Sequence, residues 1–274
     1  MFVYVFCYSM LINVVNMPFD KGANKIGSSK AYEELKYDLK DLKISKTINV
    51  ENCDNNHYRN ILGDGFLKCW NILNSKNFPL LIGGDHSCAI SSIFASNEHC
   101  IMNKERLGIL WFDAHTDFNT IQTSPSGNIH GVPVSILCGH TLPLLSFGQY
   151  LDPNQFLYYG IRDIDSLEFM RFQEYNMNSI DYNSLIDFQL YELKNWMLKY
   201  DKIHLSFDMD CFDSKDFVYV NTPVSNGPTK KNIMTLINYI KESNKLISMD
   251  LVEYNPTINK NNTLIIELLK TVFD

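Results

Sequence analysis

Two histidines and four aspartates, grouped in three short segments, are the residues of this chain best suited to bind metal ions. The segments are GGDHS at 83–87, DAHTD at 113–117 and SFDMDCFD at 206–213, and the side chains are His86, Asp113, His115, Asp117, Asp208 and Asp210. In each of the last two segments these side chains occupy every second position, so in an extended chain they project from one face. A polar turn that caps a helix is the alternative for either segment alone. Two such segments in one chain favour a metal site.

The three carboxylates of the last segment, Asp208, Asp210 and Asp213, would repel one another in the absence of cations. At a separation of ~4 Å and an effective dielectric constant of ~20, each pair costs about 4 kcal/mol. Carboxylates and imidazoles without a thiolate form a hard donor set that favours Mn²⁺ over Zn²⁺, while Fe²⁺ and Co²⁺ also fit. Two divalent cations would offset the four negative charges and generate hydroxide from water at neutral pH. The sequence therefore predicts a metallohydrolase whose site does not repel a cationic substrate such as a guanidinium.

Each of these segments follows an apolar run of strand length. The pattern predicts strands over 11–15, 78–82, 107–112, 155–160, 203–207 and 246–251, and helices over 57–75, 87–98, 183–200 and 228–244. Strands that alternate with helices imply right-handed crossovers and a mainly parallel central sheet between two helical layers, an α/β fold of the three-layer α/β/α type. Ligands bind beyond the carboxyl ends of such strands, where the polar segments fall. Because no repeat or linker divides the chain, we predict one domain over residues 1–274.

Composition limits the partners and the location that we expect. The 274 residues carry a formal net charge of −7 with no basic stripe, which gives no reason to expect a nucleic-acid partner. Seven cysteines without a CxxC motif are typical of reduced thiols, and we predict a cytoplasmic protein. Residues 1–16 are apolar but lack signal-peptide features and are too short to span a membrane. We interpret Met10 as a possible alternative start, and the segment that begins there as the first core strand and its loop. A membrane-inserting N-terminus is the alternative.

The three motifs together resemble those of the ureohydrolase superfamily, which includes arginase, agmatinase and formiminoglutamase. The family pattern is GGDHS, DAHxD and SxDxDxxDP, and the loop DAHTDFNTIQTSPSGNIHGVPVS resembles the form found in arginases. The resemblance covers about residues 78–256. It implies the arginase-like fold, two Mn²⁺ per subunit, and L-arginine as the small-molecule substrate, hydrolysed to L-ornithine and urea. It also implies a homo-oligomer, either a trimer or a hexamer.

The resemblance also assigns roles to individual residues. One Mn²⁺ would be held by His86, Asp113, Asp117 and Asp208, and the other by Asp113, His115, Asp208 and Asp210, so that Asp113 and Asp208 bridge the ions. His130 matches the histidine that passes a proton to the leaving amine, and Glu253 matches the acid that pairs with the guanidinium. The other expected substrate contacts are Asn119, Ser124, Ser126 and Asn128 for the α-carboxylate, Asp165 and Glu168 for the α-amino group, and Thr222 near the guanidinium.

Two alternatives to arginine hydrolysis are open at this point. The first is agmatinase activity or hydrolysis of another guanidino or formimino compound. Agmatine has no α-carboxylate, so Asn119, Ser126 and Asn128 would then have no clear purpose. The second is a non-catalytic relative that keeps the fold as a binding protein. Such a protein would be expected to lose metal ligands or the proton donor, whereas here all those positions hold competent residue types.

Overall fold

One eight-stranded sheet forms the centre of the computed structural model, which describes residues 11–51, 53 and 57–274. Its strands are β1 (Ile12–Met17), β2 (Ile44–Asn49), β3 (Phe78–Gly83), β4 (Leu107–Phe112), β5 (Phe156–Tyr159), β6 (Asn178–Ile180), β7 (Lys202–Asp208) and β8 (Leu246–Val252). The order across the sheet is β2-β1-β3-β8-β7-β4-β5-β6, and each pairing of these strands is parallel. The carboxyl ends of all eight strands therefore lie along the same edge.

Helices cover both faces of the sheet. They are α1 (Ala31–Leu35), α2 (Tyr58–Asn74), α3 (Ala89–Met102), α4 (Pro133–Leu137), α5 (Ser166–Glu174), α6 (Ile186–Met197), α7 (Lys230–Glu242) and α8 (Thr263–Phe273). Successive strand residues point to opposite faces. Val14 and Leu80 accordingly pack in one core with α1, α6, α7 and α8, while Val15 and Leu81 pack in a second core with α2, α3 and α4. The predicted three-layer α/β/α fold is confirmed.

The strands predicted from apolar runs are the ones buried on both faces. β3 and β4 are fully buried along their length, and all six predicted strands are present with small differences in their bounds. The four predicted helices correspond to α2, α3, α6 and α7, and the Thr229 side chain caps α7 by accepting from Asn232 N at 3.2 Å. The pattern does not single out the edge strands β2 and β6, because β2 is mostly polar and exposed and β6 has only three residues.

Three expectations from the sequence concern membrane spans, the cysteines and the N-terminal segment. In the part of the chain that the structure describes, no helix is long and apolar enough to cross a membrane. Among the described residues, the cysteines at 69, 88, 100, 138 and 211 are buried and form no disulfide. Residues 1–10, on which the expectations about an alternative start and an inserting N-terminus fall, lie outside the described residues. The adjoining apolar segment does form a core strand, β1.

Candidate metal centre

The six predicted metal ligands lie at the carboxyl ends of central strands of the sheet. β3, β8, β7 and β4 are consecutive neighbours, and neighbouring strands are about 4.8 Å apart. His86 follows β3, Asp113 follows β4, Asp208 ends β7, and Glu253 follows β8. The sheet thus brings together side chains that are as much as 167 positions apart along the chain. The structure confirms that the three sequence segments converge.

The first ligand group surrounds the ring of His86. Its Nδ1 lies 2.9 Å from Asp113 Oδ2, 3.2 Å from Asp208 Oδ2 and 3.3 Å from Asp117 Oδ2. His86, Asp113 and Asp208 are buried and could hold a metal ion together. The fourth predicted member of this group, Asp117, is 7% exposed and faces the same nitrogen. The predicted set of four is therefore assembled around one point.

The second ligand group shares Asp113 with the first. His115 Nδ1 lies 3.1 Å from Asp210 Oδ2 and 3.4 Å from Asp113 Oδ1, and these three residues could also hold a metal ion. Because Asp113 presents Oδ2 to one group and Oδ1 to the other, it has the position of a bridging ligand. The corresponding bridging role of Asp208 stays a prediction, since its oxygens are grouped here only with His86.

Hydrogen bonds and packing fix the orientation of these ligands. The Trp111 ring stacks on the His86 ring with centroids 4.1 Å apart and planes 9° apart, and Trp111 Nε1 donates to Asp113 Oδ2 at 3.0 Å. Asp210 Oδ1 accepts from Ala114 N at 3.1 Å, and Asp210 Oδ2 accepts from Thr222 Oγ1 at 3.1 Å. Thr222 therefore contacts a predicted metal ligand directly.

The donor set fits divalent cations. His86 Nδ1 is buried among three carboxylates, yet it has no hydrogen-bond partner of acceptable geometry. Burial, followed by the charge of Asp113, raises the pKa of Asp117 to about 6, and burial with the charges of Asp210 and Asp113 raises the pKa of Asp208 well above its ordinary value. Packed carboxylates of this kind need protons or cations for balance. Oxygen and imidazole donors without sulfur suit Mn²⁺ and similar ions.

Glu253 and His130 form a pair beside the ligand groups. Glu253 Oε1 accepts from His86 N at 3.0 Å and lies 3.2 Å from His130 Nδ1. Glu253 Oε2 is buried and has no hydrogen-bond partner among residues 11–51, 53 and 57–274. Burial works to lower the pKa of His130, but the hydrogen bond and charge of Glu253 outweigh it and raise the pKa to about 9. His130 is therefore protonated at neutral pH.

A cavity of about 390 Å³ opens above these groups. Asp113 is fully buried and does not line the cavity. The other residues that the sequence predicts for metal and substrate all line it: His86, His115, Asp117, Asn119, Ser124, Ser126, Asn128, His130, Asp165, Glu168, Asp208, Asp210, Thr222 and Glu253. The structure thus brings together around one cavity residues that the chain distributes over 168 positions, from 86 to 253.

The polar residues of the cavity differ in how firmly they are held. Asn119 is buried, and its Nδ2 donates to Asp165 Oδ2 at 2.7 Å. Glu168 Oε1 accepts from the backbone N of residues 118 and 119 at 2.7 and 3.2 Å. The loop with Ser126 and Asn128 is more exposed, and the Ser126 hydroxyl accepts from Asn128 N at 3.2 Å. One side of the cavity is rigid and acidic, and the other is a hydroxyl- and amide-bearing loop.

Several residues of the cavity are not predicted from the sequence, among them Asp163, Lys25 and Asn221. Asp163 Oδ2 lies 3.5 Å from His115 Nε2, and its alternation with Asp165 in GIRDIDSLE is a signal that could have indicated it. Lys25 and Asn221 line the mouth, where Lys25 Nζ donates to Asn221 O at 2.6 Å. No local pattern marks these two, because they meet only through a contact 196 positions apart.

Comparison with known proteins places the chain in a family. The arginase family model matches residues 12–272. The arginase of Bacillus caldovelox is 30% identical over 281 residues, which cover 92% of this chain and 93% of that protein. Among solved structures, the arginase of Entamoeba histolytica in complex with L-ornithine has a TM-score of 0.88 at 25% identity and covers 97% of this chain and 99% of its own. The arginase of Bacillus subtilis has a TM-score of 0.86 at 26% identity and covers 96% and 98%.

The fold, the assembled ligand groups and these similarities agree. This chain belongs to the arginase family. A putative agmatinase from Clostridium difficile, with a TM-score of 0.77 and 20% identity, shares the fold. The resemblance to the ureohydrolase superfamily, and to arginases within it, is confirmed.

Proposed function

We propose that this protein hydrolyses L-arginine to L-ornithine and urea in the cavity above the two ligand groups. The observation that carries the proposal is the sharing of Asp113 by the His86 and His115 groups, beside the Glu253–His130 pair. Similar proteins support the choice of substrate, since several are arginases and one is solved in complex with L-ornithine.

Two Mn²⁺ ions are the proposed cofactor. His86, Asp113, Asp117 and Asp208 would hold one ion, and Asp113, His115, Asp208 and Asp210 the other. When bound, such a pair of cations lowers the pKa of water and supplies a nucleophile at neutral pH. The chain itself contributes the geometry, because the hydrogen bonds of Trp111, Ala114 and Thr222 fix the ligand carboxylates before any ion binds.

Glu253 is the proposed partner of the substrate guanidinium. Its Oε1 is occupied by His86 N and His130, but its buried Oε2 has no partner and is free to accept an N–H of the guanidinium. A hydrogen bond between two charged groups in a buried position is strong and directional. It would hold the guanidinium carbon beside the ligand groups.

His130 is the proposed proton donor. A water that has lost one proton bonds through its oxygen to the guanidinium carbon, and its second proton passes to the nitrogen of the ornithine side chain. The bond between that nitrogen and the carbon breaks, urea is released, and a further proton from His130 completes the ammonium group of L-ornithine. His130 carries a proton at neutral pH, because Glu253 accepts from its Nδ1 and keeps its pKa at about 9. General acid catalysis of this kind typically contributes 10²- to 10⁴-fold to a rate, to order of magnitude.

The amino-acid end of L-arginine has matching groups on the far side of the cavity. The carboxylates of Asp165 and Glu168 would contact the α-ammonium group, and Asn119 is already oriented by Asp165. Ser124, Ser126 and Asn128 would donate to the α-carboxylate from their exposed loop. Agmatine lacks that carboxylate, so this loop is the part of the site that favours arginine.

A substrate panel tests the proposal. Protein reconstituted with Mn²⁺ is given L-arginine, agmatine and other guanidino acids, and urea and the amine product are both quantified. We expect urea with L-ornithine from L-arginine. Asn128→Ala should reduce kcat/KM for L-arginine far more than for agmatine, while the control Asn183→Ala, on an exposed turn, should change neither. Equal losses for both substrates would contradict arginine specificity, and no urea from any guanidino compound would favour a non-catalytic binding protein.

The remaining expectations are also proposals. The described residues share one sheet, which supports a single domain over 1–274. A trimeric or hexameric assembly and a cytoplasmic location stay predictions. Light scattering of the purified protein and localisation of a tagged chain would test them.

A further inference from the structure

A buried polar cluster lies behind His86, on the side away from the cavity. It consists of Ser206 and His204 on β7, Ser248 and Asp250 on β8, and Ser92 and Ser96 on α3, and none of these residues is more than 1% exposed. Six polar side chains in the middle of a core require mutual hydrogen bonds, since an unpaired buried polar group is costly. The directions of these hydrogen bonds bear on which ring nitrogen of His86, a predicted metal ligand, carries a proton.

The cluster reaches His86 through a single hydroxyl. His86 Nε2 lies 3.0 Å from Ser206 Oγ, and Ser206 Oγ lies 2.7 Å from Asp250 Oδ1. A hydroxyl has one proton to donate, and an ionised carboxylate can only accept. Ser206 therefore donates to Asp250 and must accept from His86 Nε2.

Asp250 is held as an ionised acceptor. Its Oδ2 accepts from Ser92 Oγ at 2.8 Å and pairs with His204 Nε2 at 2.7 Å, in addition to the bond from Ser206. Burial works to raise the pKa of Asp250, but the hydrogen bond and charge of His204 leave it below its ordinary value. Ser248 and Ser96 contact His204 Nδ1 at 2.7 and 3.1 Å and so fix the far end of the cluster.

We propose that Ser206 and Asp250 are positioning residues that hold His86 in the tautomer with its proton on Nε2. The lone pair of Nδ1 is then turned toward Asp113, Asp117 and Asp208, where a cation would bind. Hydrogen bonds to the far nitrogen of a ligating histidine fix its tautomer and orientation in metalloproteins generally. This inference rests on the metal site of the proposed function.

The second histidine ligand has no such support. His115 Nε2 faces Asp163 Oδ2 at 3.5 Å, and the two side chains are 25% and 66% exposed. The orientation of His115 depends on the solvent-exposed carboxylate of Asp163 instead of on a buried chain of hydrogen bonds. Loss of the Ser206 hydroxyl should therefore weaken one of the two cation sites and leave the other unchanged.

Calorimetric titration of the metal-free full chain with Mn²⁺ tests the proposal. We expect two ions to bind to the wild type, and Ser206→Ala to lower the affinity for one of them by about 10- to 100-fold. Ser91→Ala is the matched control, because it removes an equally buried hydroxyl of α3 that donates to Leu62 O and bonds to neither Asp250 nor His86. It should keep both affinities, and Ser206→Thr, which restores the hydroxyl, should recover most of the lost affinity.

Each outcome separates the hypotheses. If the wild type binds two ions and Ser206→Ala binds both equally well, or if Ser91→Ala is impaired to the same degree, the positioning role is wrong and the proposed function is untouched. If the wild type binds no Mn²⁺, the proposed function fails, and this inference fails with it.

A measurement on the wild type covers the case in which Ser206→Ala does not fold. Protein with ¹⁵N-labelled histidine is loaded with diamagnetic Zn²⁺, and the two ring nitrogens of His86 are distinguished by NMR. We expect the proton on Nε2 and the metal on Nδ1. A proton on Nδ1 would overturn the proposal.

Discussion

Glu168 lies in the acidic wall of the cavity and is 5% exposed. Burial is the largest influence on its carboxyl group and, with the charges of Asp117 and Asp165, raises the pKa from an ordinary value of 4.5 to about 7, although the hydrogen bond from Phe118 N works in the other direction. Between these two pH values the folded protein binds a proton at Glu168 that the unfolded chain does not bind. Glu168 should therefore make the free energy of unfolding depend on pH.

The sign and size of that dependence follow from linkage. A group whose pKa is raised on folding contributes stability that is fully present below its unfolded pKa and is lost as the pH rises through its folded pKa. A shift of about 2.5 units corresponds to about 3 kcal/mol. The stabilisation is thus present below pH 4.5 and absent above about pH 7. Glu168→Gln keeps a side-chain carbonyl for the N–H groups of residues 118 and 119 but is neutral at every pH.

Urea denaturation of metal-free protein at pH 5 and pH 7.5 measures the effect. Groups that do not interact with Glu168 titrate alike in both proteins, so the difference between wild type and Glu168→Gln reports on this carboxyl and its coupling to Asp117 and Asp165. We expect the variant to gain about 2–3 kcal/mol relative to wild type on going from pH 5 to pH 7.5. Glu174→Gln, the same change on the exposed side of α5, should show no such gain. Parallel pH profiles for wild type and Glu168→Gln would refute the reasoning.

Three other perturbations test how the site is held. Arg162→Met should lower the free energy of unfolding by about 3 kcal/mol and weaken Mn²⁺ binding. The reason is that the guanidinium donates at 2.7–3.0 Å to the carbonyls of residues 160, 210, 212 and 224. Unchanged curves in urea and Mn²⁺ titrations would contradict this role. Gly84→Ala should cost about 1–3 kcal/mol or more, because its Cβ would lie 2.0 Å from Phe19 O; an unshifted thermal midpoint would count against the close approach. Mn²⁺ at 100 times its Kd should stabilise metal-free protein by about 2.7 kcal/mol, and a midpoint insensitive to Mn²⁺ would argue against the ligand groups.

The sequence revealed most of the fold because its central strands are buried on both faces. β3 and β4 appear as continuous apolar runs, which is typical of parallel strands covered by two layers of helices. β2 lies at one edge of the sheet, carries exposed polar residues and therefore has no such run. β6, at the other edge, is too short for any periodicity to appear.

The ligand groups were predictable for a related reason. Each ligand segment directly follows a strand, so the convergence of carboxyl ends determines where His86, Asp113 and Asp208 meet. Lys25 and Asn221 belong to the same cavity but lie on irregular loops, where no periodicity shows which loops will touch. The buried cluster behind His86 was also hidden, since nothing local connects Ser206 to Asp250.

Backbone conformation is the part of the site that the sequence conceals most completely. Asp117 and Glu253 both have a left-handed backbone, with φ of 48° and 64°, although neither is a glycine. Such conformations cost about 1–3 kcal/mol each and persist only where the surroundings enforce them. Here the carbonyl of Asp117 accepts from Val134 N at 3.1 Å, and Glu253 N donates to Gly84 O at 2.8 Å. Asp117 is thus bonded to the first turn of α4 and Glu253 to the loop after β3, so the strain that aims these two carboxylates is sustained by contacts that no local motif records.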